Sequence, residues 1–474
     1  MNQEQMPLAE ALLEYKKRET VRFHVPGHKG RGGGILSSIY PLDLTEIPGL
    51  DDLHQPEEII LQAQQLAADA FGADETFFLI GGSTVGNMAM LLAACKPGEK
   101  ILVQRNVHKS VINGLILSQA RPVYLNPEFD EETGLPLTVS LHELKIKLEE
   151  HPDAKAVFMT NPNYFGMGVN LRPYADLCQH VGVPLLVDEA HGAHFSLIEG
   201  VPKSAMHSGA TAAVQSTHKM LPSLTMSSML HIKGSLLDRK RLRQALAMIQ
   251  SSSPSYPLLA SLDIARHYIV HDGQKDLEQA IQLGRQLKLA LQKLQIPWLL
   301  LVEKGAKADF LDPLKVTMRT ESADWHGFRL REYLEEKGIY PELADESHVL
   351  LVLSAHSSES DVERTVHAMR ELELQSGESY IGRSSSFFQP FSNELVLTPF
   401  EVFNKEPILI PFEEAEGRVS AEMIVPYPPG IPVINPGERV CREMMNYIQE
   451  LRRLGCRFHG VSDPSLRHVR VIEF

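Results

Sequence analysis

The sequence predicts an α/β fold with a mainly parallel central sheet, and three observations lead to this prediction. Short apolar runs alternate with segments of helical spacing between residues 56 and 221. Strands that alternate with helices form a parallel sheet with helices on both faces. Polar turns follow several of the apolar runs, and ligands of such sheets bind beyond the carboxyl ends of the strands.

The composition is that of a globular protein with two or three domains. Hydrophobic residues make up 43% and charged residues 22% of the 474 residues. The formal net charge of −14 disfavours nucleic acid and anionic membranes as partners and favours a cationic substrate. The sequence has neither a signal peptide nor an apolar run long enough to span a bilayer, so we expect a cytoplasmic protein.

The cysteines and histidines do not suggest metal ligands. No cysteine stands in a CxxC pair, and we expect buried thiols in a reducing compartment. The histidines do not fall at ligand spacings with open carboxylates, so we expect no metal site. The four cysteines are Cys95, Cys178, Cys441 and Cys456.

The N-terminal region contains a short helix and two polar segments. The helix is expected over residues 8–17. Residues 23–30 read FHVPGHKG and hold two histidines and close glycines, which fit either a surface turn or a functional loop. Residues 43–54 have neither helical nor strand period. Both polar segments are too specific in composition to be simple connectors.

A glycine-rich turn joins the first predicted strand to a helix. A helix over residues 56–71 precedes the strand, which covers residues 76–80, and the turn GGSTVGN follows. Backbone N–H groups at a helix N-terminus bind anions, and the hydroxyls of Ser83 and Thr84 add hydrogen bonds. An ordinary N-cap is the alternative.

The alternation of strands and helices continues to residue 188. His108 opens a helix, where it either caps the helix or stacks on a ring. Asp188 follows an apolar strand, where it either caps the next turn or pairs with a pyridinium nitrogen and keeps a cofactor ring electron-poor. Ala190 is small enough for a flat ring to lie against it. Strands are expected at residues 101–104, 122–125, 156–160 and 184–187, and helices at residues 141–150 and through Cys178.

Lys219 has an unusual position for a lysine, in a loop directly after an apolar strand. The segment VQSTHKML, residues 214–221, places two hydroxyls and an imidazole before it. A desolvated amine beside another cationic group becomes the nucleophile that forms a Schiff base. Ser216 and His218 are groups that hold a phosphate. These residues indicate pyridoxal phosphate (PLP), and a lysine that extends from a strand end to solvent is the alternative.

The rest of the chain predicts further domains. Glu438 follows a proline-rich turn and is either an exposed N-cap acid or a contact for the cationic end of a substrate. A serine- and glycine-rich stretch indicates a linker. We predict an N-terminal arm and active-site loop at residues 1–55, a large PLP-binding domain at 56–295, a small α/β domain at 296–376, a linker at 377–393 and a C-terminal α+β domain at 394–474.

Several of these segments together resemble the bacterial ornithine/lysine/arginine decarboxylases. The motifs occur in order over nearly the whole chain, so their joint specificity is high. The resemblance implies a PLP enzyme of the aspartate-aminotransferase fold (fold type I), in a short form without the N-terminal wing domain of the larger enzymes. The motifs are FHVPGHKG, DLTE with LDDLH, the Gly-Ser-Thr turn, RNVHKS, VDEAHGAHF, QSTHKML, GRVSAE, and YPPGIP with PGE.

The resemblance also implies roles for individual residues. Lys219 forms the Schiff base with PLP, and Asp188 pairs with the pyridine nitrogen. His108 stacks on the ring, and Ala190 supports the opposite face. The expected phosphate ligands are Ser83, Thr84, Ser216 and His218, and the expected substrate contacts are Glu438 and His28.

The family assembles as dimers with active sites at the interface. The resemblance therefore implies a homodimer or larger homo-oligomer, in which the loop at residues 24–29 serves a neighbouring subunit. The sequence departs from the family in two places. The phosphate turn reads GGSTV where relatives often carry Asn-Gly-Thr, and Asn163 stands where threonine is frequent. These departures put the individual phosphate contacts in question, rather than Lys219 and Asp188.

The expected reaction is α-decarboxylation of a basic amino acid, with arginine to agmatine ranked before lysine and ornithine. The ranking follows the substrates that are common in the family, because no residue in this sequence indicates the length of the substrate side chain. Lys219 or His191 returns a proton to Cα after CO2 leaves. Another PLP reaction, such as transamination or aldolase-type cleavage, and an inactive regulatory paralogue are the alternatives. The C-terminal YPPGIP motif disfavours the former, and intact Asp188 and Lys219 disfavour the latter.

Overall fold

The three-dimensional structure, a computed structural model, describes residues 1–375, 394–427 and 430–473. The predicted linker at residues 377–393 lies outside these ranges, as do Pro428 and Pro429 of the YPPGIP motif. Within the described ranges, no helix is both long and apolar enough to cross a membrane. The cytoplasmic location stays a prediction.

The helices begin and end largely where the sequence spacing predicts. Ser140 caps one of them by accepting a hydrogen bond from Glu143 N at 3.1 Å, and Gly72 ends another in the left-handed conformation. Helices α1 to α14 occupy Pro7–Lys17, Ile59–Phe71, Gly82–Ala94, Lys109–Ser118, Leu141–Glu150, Arg172–His180, Thr217–Met220, Arg239–Ile249, Tyr256–His271, Gly273–Lys293, Gly327–Glu336, Glu359–Gln375, Pro399–Phe403 and Arg442–Arg453.

The strands are short, and most are buried on both faces or alternate between buried and exposed residues. Strands β1 to β20 occupy Glu75–Leu79, Lys100–Gln104, Arg121–Leu125, Pro127–Asp130, Leu135–Val139, Val157–Thr160, Met167–Gly168, Leu185–Asp188, Ala212–Gln215, Ser228–Ile232, Leu299–Leu301, Phe310–Leu311, Lys315–Thr320, Leu343–Ala344, His348–Val352, Ile408–Pro411, Val419–Ser420, Val425–Tyr427, Arg457–His459 and His468–Ile472.

Two compact units divide the chain. The first unit comprises Met1–Lys96, Lys155–Phe158 and Asn170–Asp276. The second comprises Pro97–Ala154, Met159–Val169 and Leu277–Phe474. These units interleave along the chain, unlike the consecutive segments expected from sequence. The predicted segment boundaries stay a prediction.

The first unit brings three strand ends to one edge of its sheet. Strands β1, β10, β9 and β8 are neighbours in that order. β8 and β9 are parallel, whereas β10 is antiparallel to both β9 and β1. Two successive antiparallel pairings restore the direction, so β1 runs the same way as β9 and β8. The carboxyl ends of β1, β9 and β8 therefore lie at the same edge, the usual place for a ligand site.

Helix α3 packs closely on this sheet and contacts β1, β8, β9 and β10. Gly86 makes the close approach possible, because a Cβ at this position would lie 2.4 Å from Val214 Cγ2. The first turn of α3 is thereby held beside the carboxyl end of β9.

The second unit contains the strand pair β2–β3 and several small sheets. Strands β2 and β3 are parallel, and β4 and β5 form an antiparallel hairpin. A four-stranded sheet has the order β11-β13-β15-β14 and is antiparallel throughout. Near the C-terminus, β20 pairs with β16 and β17. The buried face of α14, which includes Met444, Ile448 and Leu451, packs into the core around these strands.

The prediction of an α/β fold with a mainly parallel central sheet is confirmed, with two additions. Strand β10 was not predicted; it reads SMLHI, and a histidine interrupts its apolar run. The hairpin β4–β5 was also missed, because its strands are short and contain prolines. Strand β10 makes the sheet mixed, but it leaves the strand ends that carry the predicted site at a common edge.

Candidate active site

Lys219 lies in a short helix rather than in the predicted loop. Helix α7 has four residues and follows β9 directly, and the side chain of Lys219 is half-buried there. Its Nζ lies 3.0 Å from Nε2 of His191, which is 5% exposed. An amine and an imidazole at this distance can pass a proton between them. The structure therefore brings together the two residues predicted to handle the proton.

Asp188 ends β8 and is held by two hydrogen-bond donors. The carboxylate is 3% exposed, and it accepts a hydrogen bond from Asn87 Nδ2 at 2.7 Å. It accepts a second from the backbone N–H of Ala190 at 3.1 Å. Hydrogen bonds to both oxygens fix the orientation of the carboxylate. Asn87 is a residue that the sequence reasoning missed.

The predicted phosphate ligands partly converge in the first unit. Ser83 and Thr84 lie in the first turn of α3, and Ser83 Oγ lies 2.9 Å from Ser216 Oγ, which donates to it. The first backbone N–H groups of a helix lack partners within the helix and attract anions. His218 is placed differently, because its Nδ1 lies 2.8 Å from the carbonyl oxygen of Ser227. Its contact with a phosphate stays a prediction.

A buried polar chain continues behind Asp188. Glu189 accepts hydrogen bonds from Gln215 Nε2 and from the backbone of Ala205, each at 2.7 Å. Gln215 Oε1 in turn lies 3.1 Å from His231 Nε2, and His231 Nδ1 lies 2.8 Å from Thr76 Oγ1. Burial raises the pKa of Glu189 to about 8 and lowers that of His231 to about 3. This chain joins β8, β9, β10 and β1 beneath the site, and sequence reasoning did not detect it.

We expect the free energy of unfolding to depend less on pH in the Glu189→Gln variant than in wild type. Glu189 has a pKa of about 8 in the folded protein, above its ordinary value of 4.5. The folded state therefore binds more protons between these values, and stability falls as the pH rises through this range, by a few kcal/mol at most. Glutamine cannot titrate, so this contribution disappears. The amide nitrogen of the new glutamine would face Gln215 Nε2 or the Ala205 N–H, which are themselves hydrogen-bond donors. We therefore expect the variant to be less stable than wild type at every pH.

Urea unfolding of both proteins at about pH 5.5 and about pH 8.5 measures this difference. His231 contributes equally to both proteins: its lowered pKa stabilises the fold above its ordinary value of 6.5, and that stability is lost as the pH falls toward about 3. If the free energy of unfolding changed by the same amount between the two pH values in wild type and variant, this result would contradict the raised pKa of Glu189.

The residues of the first unit fit PLP by their chemistry. The cofactor has an aldehyde, a pyridine nitrogen and a phosphate, which require an amine, a carboxylate and anion-binding N–H and hydroxyl groups. Lys219, Asp188 and the first turn of α3 supply these three kinds of group at one edge of the sheet. Ala190 is 9% exposed, and its support of one ring face stays a prediction.

His28 is engaged within its own loop. Its Nε2 lies 3.0 Å from Asp43 Oδ2, its Nδ1 accepts a hydrogen bond from Gly30 N at 3.0 Å, and its ring stacks on Tyr40. These contacts join the two polar N-terminal segments to each other. A substrate contact by His28 stays a prediction.

His108 and Glu438 belong to the second unit. His108 is the N-cap of α4, where Nδ1 accepts a hydrogen bond from Ser110 N at 3.2 Å. The fully buried Glu438 pairs with Arg105: Arg105 Nη2 donates to Oε2 at 2.7 Å, and Arg105 Nε lies 2.7 Å from Oε1. Glu438 is thus neither exposed nor unpaired, unlike a simple N-cap acid. Arg105 was not identified from sequence, and the ring stacking by His108 and the substrate contact by Glu438 stay predictions.

The cysteines are free, as expected. Cys95 and Cys178 are buried, whereas Cys441 and Cys456 are only partly buried. Burial raises the pKa of the Cys178 thiol to about 12, so it is not a nucleophile at neutral pH.

Comparison with known proteins gives full-length matches. The chain matches the family described as Orn/Lys/Arg decarboxylase, major domain, over residues 6–305, and the C-terminal domain of the same family over residues 388–464. It is 38% identical to an arginine decarboxylase of Bacillus subtilis, with 100% of this chain and 99% of the relative covered. It is 42% identical to the uncharacterized protein YaaO of the same organism, with 94% of each chain covered. A constitutive lysine decarboxylase of Escherichia coli is 24% identical, with 96% of this chain and 78% of the relative covered.

Solved structures agree in fold. The lysine decarboxylase LdcF of Francisella novicida superimposes with a TM-score of 0.83 at 22% identity, over 98% of this chain and 81% of that chain. The serine palmitoyltransferase of Sphingomonas wittichii gives a TM-score of 0.54 at 16% identity, over 68% of this chain and 78% of that chain. At these identities the similarity concerns the fold alone, and it is the fold type I predicted from sequence.

Proposed function

This chain belongs to the Orn/Lys/Arg decarboxylase family, which makes it a PLP-dependent carboxy-lyase, and we propose that arginine is the amino acid it decarboxylates. The products are then agmatine and CO2. One observation supports this choice of substrate: the relatives named arginine decarboxylase are closer in sequence than those named lysine decarboxylase, and they match over their full length. Ornithine and lysine are the alternatives within the same reaction.

The residues of the first unit suit this reaction. When bound, PLP supplies an electron sink for the pair released as the bond from Cα to the carboxylate breaks. Lys219 is the amine that would hold the cofactor covalently, and Asp188 would keep the pyridine nitrogen protonated. The two hydrogen bonds to Asp188 keep its carboxylate in place without reorganisation during the reaction. Ser83, Thr84 and Ser216 would hold the phosphate.

Lys219 and His191 together form the proposed proton donor. Loss of CO2 leaves Cα one proton short of the amine product, so the site must return one proton per turnover. The 3.0 Å separation of Lys219 Nζ and His191 Nε2 lets the imidazole replenish the amine after it has donated.

A side-by-side assay tests the proposed substrate. Arginine, lysine and ornithine are supplied to the purified enzyme with added PLP, and the released CO2 and amine are measured. We expect kcat/KM for arginine to exceed the other two values by about tenfold or more. A higher value for lysine or ornithine would contradict the arginine assignment and leave the reaction class in place. A keto acid instead of CO2 would contradict the reaction class.

We further propose that Glu438 acts through Arg105 to position His108. Arg105 lies three residues before His108, in the turn between β2 and α4. It donates to the carbonyl oxygens of Pro432 at 3.1 Å and Val433 at 2.9 Å as well as to Glu438, so it fixes this turn to the C-terminal segment. Gly430 packs on the same histidine, since a Cβ there would lie 3.6 Å from His108 Cδ2.

The Glu438→Gln variant separates this role from direct contact with the substrate. Removing one member of a buried ion pair costs about 3–5 kcal/mol of stability, because the remaining charge is left without its partner. We expect lower stability and lower kcat for Glu438→Gln and for Arg105→Gln, with the double variant less impaired than the sum of the two. A rise in KM for arginine alone, with stability and kcat unchanged, would instead support a substrate contact.

The homodimer with shared active sites is supported by the N-terminal loop. Large apolar side chains of residues 21–35 are exposed, including Val21, Phe23 at 91%, Val25 and Ile35 at 96%. Several exposed large apolar side chains in one segment are typical of an interaction surface, and a second copy of this chain would cover them. Analytical ultracentrifugation of wild type and of Phe23→Ser tests this: we expect a dimer that the substitution weakens. A monomeric active wild type would contradict it.

A further inference from the structure

A cluster of three potential metal ligands lies in the first unit, apart from the residues proposed for PLP. His267 and His271 occupy neighbouring turns on one face of α9, with ring centroids 4.4 Å apart. The carboxylate of Glu4 reaches the same place, with Oε1 3.6 Å from His271 Nδ1. One donor atom from each residue lies within 4.8 Å of the other two. We call this group the Glu4–His267–His271 cluster.

The backbone around Glu4 is fixed on both sides. Arg266 donates from Nη1 to the carbonyl oxygen of Gln3 at 2.7 Å and from Nη2 to that of Gln5 at 2.6 Å. Arg266 is fully buried and paired with Asp263, so this clamp is itself rigid. The third ligand therefore comes from a segment that is already ordered next to the two histidines. Pre-ordering lowers the entropy cost of assembling a site.

The ligand set suits a divalent transition metal. Two histidines one helical turn apart, joined by a carboxylate, form a set that binds Zn2+ with its remaining position open to water. Zinc bonds of about 2.0–2.2 Å place tetrahedral donors about 3.4 Å apart, so closure requires a movement of about 1 Å. Glu4 can supply that movement, because its side chain is 73% exposed. Imidazole donors disfavour Mg2+ and Ca2+, which prefer oxygen ligands.

His271 has few competing partners. Its Nε2 is buried and has no hydrogen-bond partner among the described residues, and Glu4 lies beyond hydrogen-bonding distance of Nδ1. A contact between His271 and Glu4 alone would leave His267 without a role, although its ring lies next to that of His271. A shared cation uses all three side chains.

We propose that Glu4, His267 and His271 bind one Zn2+ ion or a similar transition metal and thereby fasten the N-terminal segment to α9. The expectation of no metal site overlooked this cluster, because the spacing His-x3-His was not recognised and the carboxylate comes from the other end of the unit. The proposed site is independent of the decarboxylation chemistry.

Zinc binding to the PLP-loaded full-length enzyme tests the proposal. The enzyme is freed of metal with a chelator and then titrated with ZnCl2 by calorimetry, and hydrogen exchange of the N-terminal backbone amides is followed. We expect one zinc per chain and slower exchange of residues 1–10. His271→Ala should raise Kd about tenfold or more and abolish the slower exchange. Glu4→Gln should do the same, and its exposed position ensures that it folds.

The matched control is His180→Ala. His180, like His271, is the last residue of its helix. The side chain of His180 is exposed. This variant should bind zinc as wild type does. Wild-type affinity in both His271→Ala and Glu4→Gln, or the absence of one-to-one binding by wild type, would overturn the proposal. Weak binding to cysteines or to other histidines persists in every variant and cancels in the comparison.

Discussion

Replacing Lys219 by alanine is expected to lower kcat/KM for decarboxylation by at least about 10⁴-fold. The substitution removes the amine that would hold the cofactor and, with His191, return the proton to Cα. Covalent binding of the cofactor and proton return are lost together, so we expect a larger decrease in kcat/KM than for any other single substitution. Lys219→Arg should be equally inactive, because it keeps the positive charge but offers no nucleophile at neutral pH. CO2 release and retention of PLP after dialysis are the measurements.

Lys233→Ala is the matched control for Lys219. Lys233 also follows a strand of the same sheet, β10, but it is exposed, and its Nζ donates to the backbone carbonyl of Gly72 at 2.9 Å. Full activity and normal PLP retention are expected for this variant. Substantial activity in Lys219→Ala would show that another group performs the nucleophilic step.

Replacing Asp188 by asparagine is expected to lower kcat on the order of 10²- to 10³-fold. The neutral amide cannot keep the pyridine nitrogen protonated, so the cofactor loses much of its capacity to accept electrons. The amide also presents a donor to Asn87 or to the Ala190 N–H, which already donate to this position. Asn87→Ala should give a smaller loss, because it removes one of the hydrogen bonds that orient the carboxylate and leaves its charge.

Asp176→Asn is the control for Asp188, since Asp176 is an exposed carboxylate of the same unit. It should leave kcat unchanged. Thermal unfolding of all three variants separates loss of function from loss of fold. If Asp188→Asn and Asp176→Asn were equally active, Asp188 would not be the partner of the pyridine nitrogen.

The positions of Lys219 and Asp188 could be predicted because they depend on local patterns. Asp188 ends a short apolar strand and Lys219 follows another, and the carboxyl ends of parallel strands share an edge. The unpredicted antiparallel strand β10 leaves these carboxyl ends at a common edge, because it lies between β1 and β9, which run in the same direction. Short strands with one polar interruption give too weak a signal to be recognised.

The partners of the site residues could not be predicted. Asn87 donates to Asp188 from a helix 101 residues earlier in the chain, and Arg105 pairs with Glu438 over 333 residues. No spacing rule in a single sequence reports such pairs. The position of Glu438 after a proline-rich turn predicts an exposed N-cap acid or a substrate contact, whereas its neighbours in space bury it completely.

The most direct measurement is to reduce the purified enzyme with borohydride, digest it and locate the pyridoxyl group by peptide mass spectrometry. We predict that the group is found on the peptide that contains Lys219, and that the Lys219→Ala protein carries none. A pyridoxyl group on a different lysine, or none in the wild type, would contradict the assignment of Lys219 as the cofactor-binding amine.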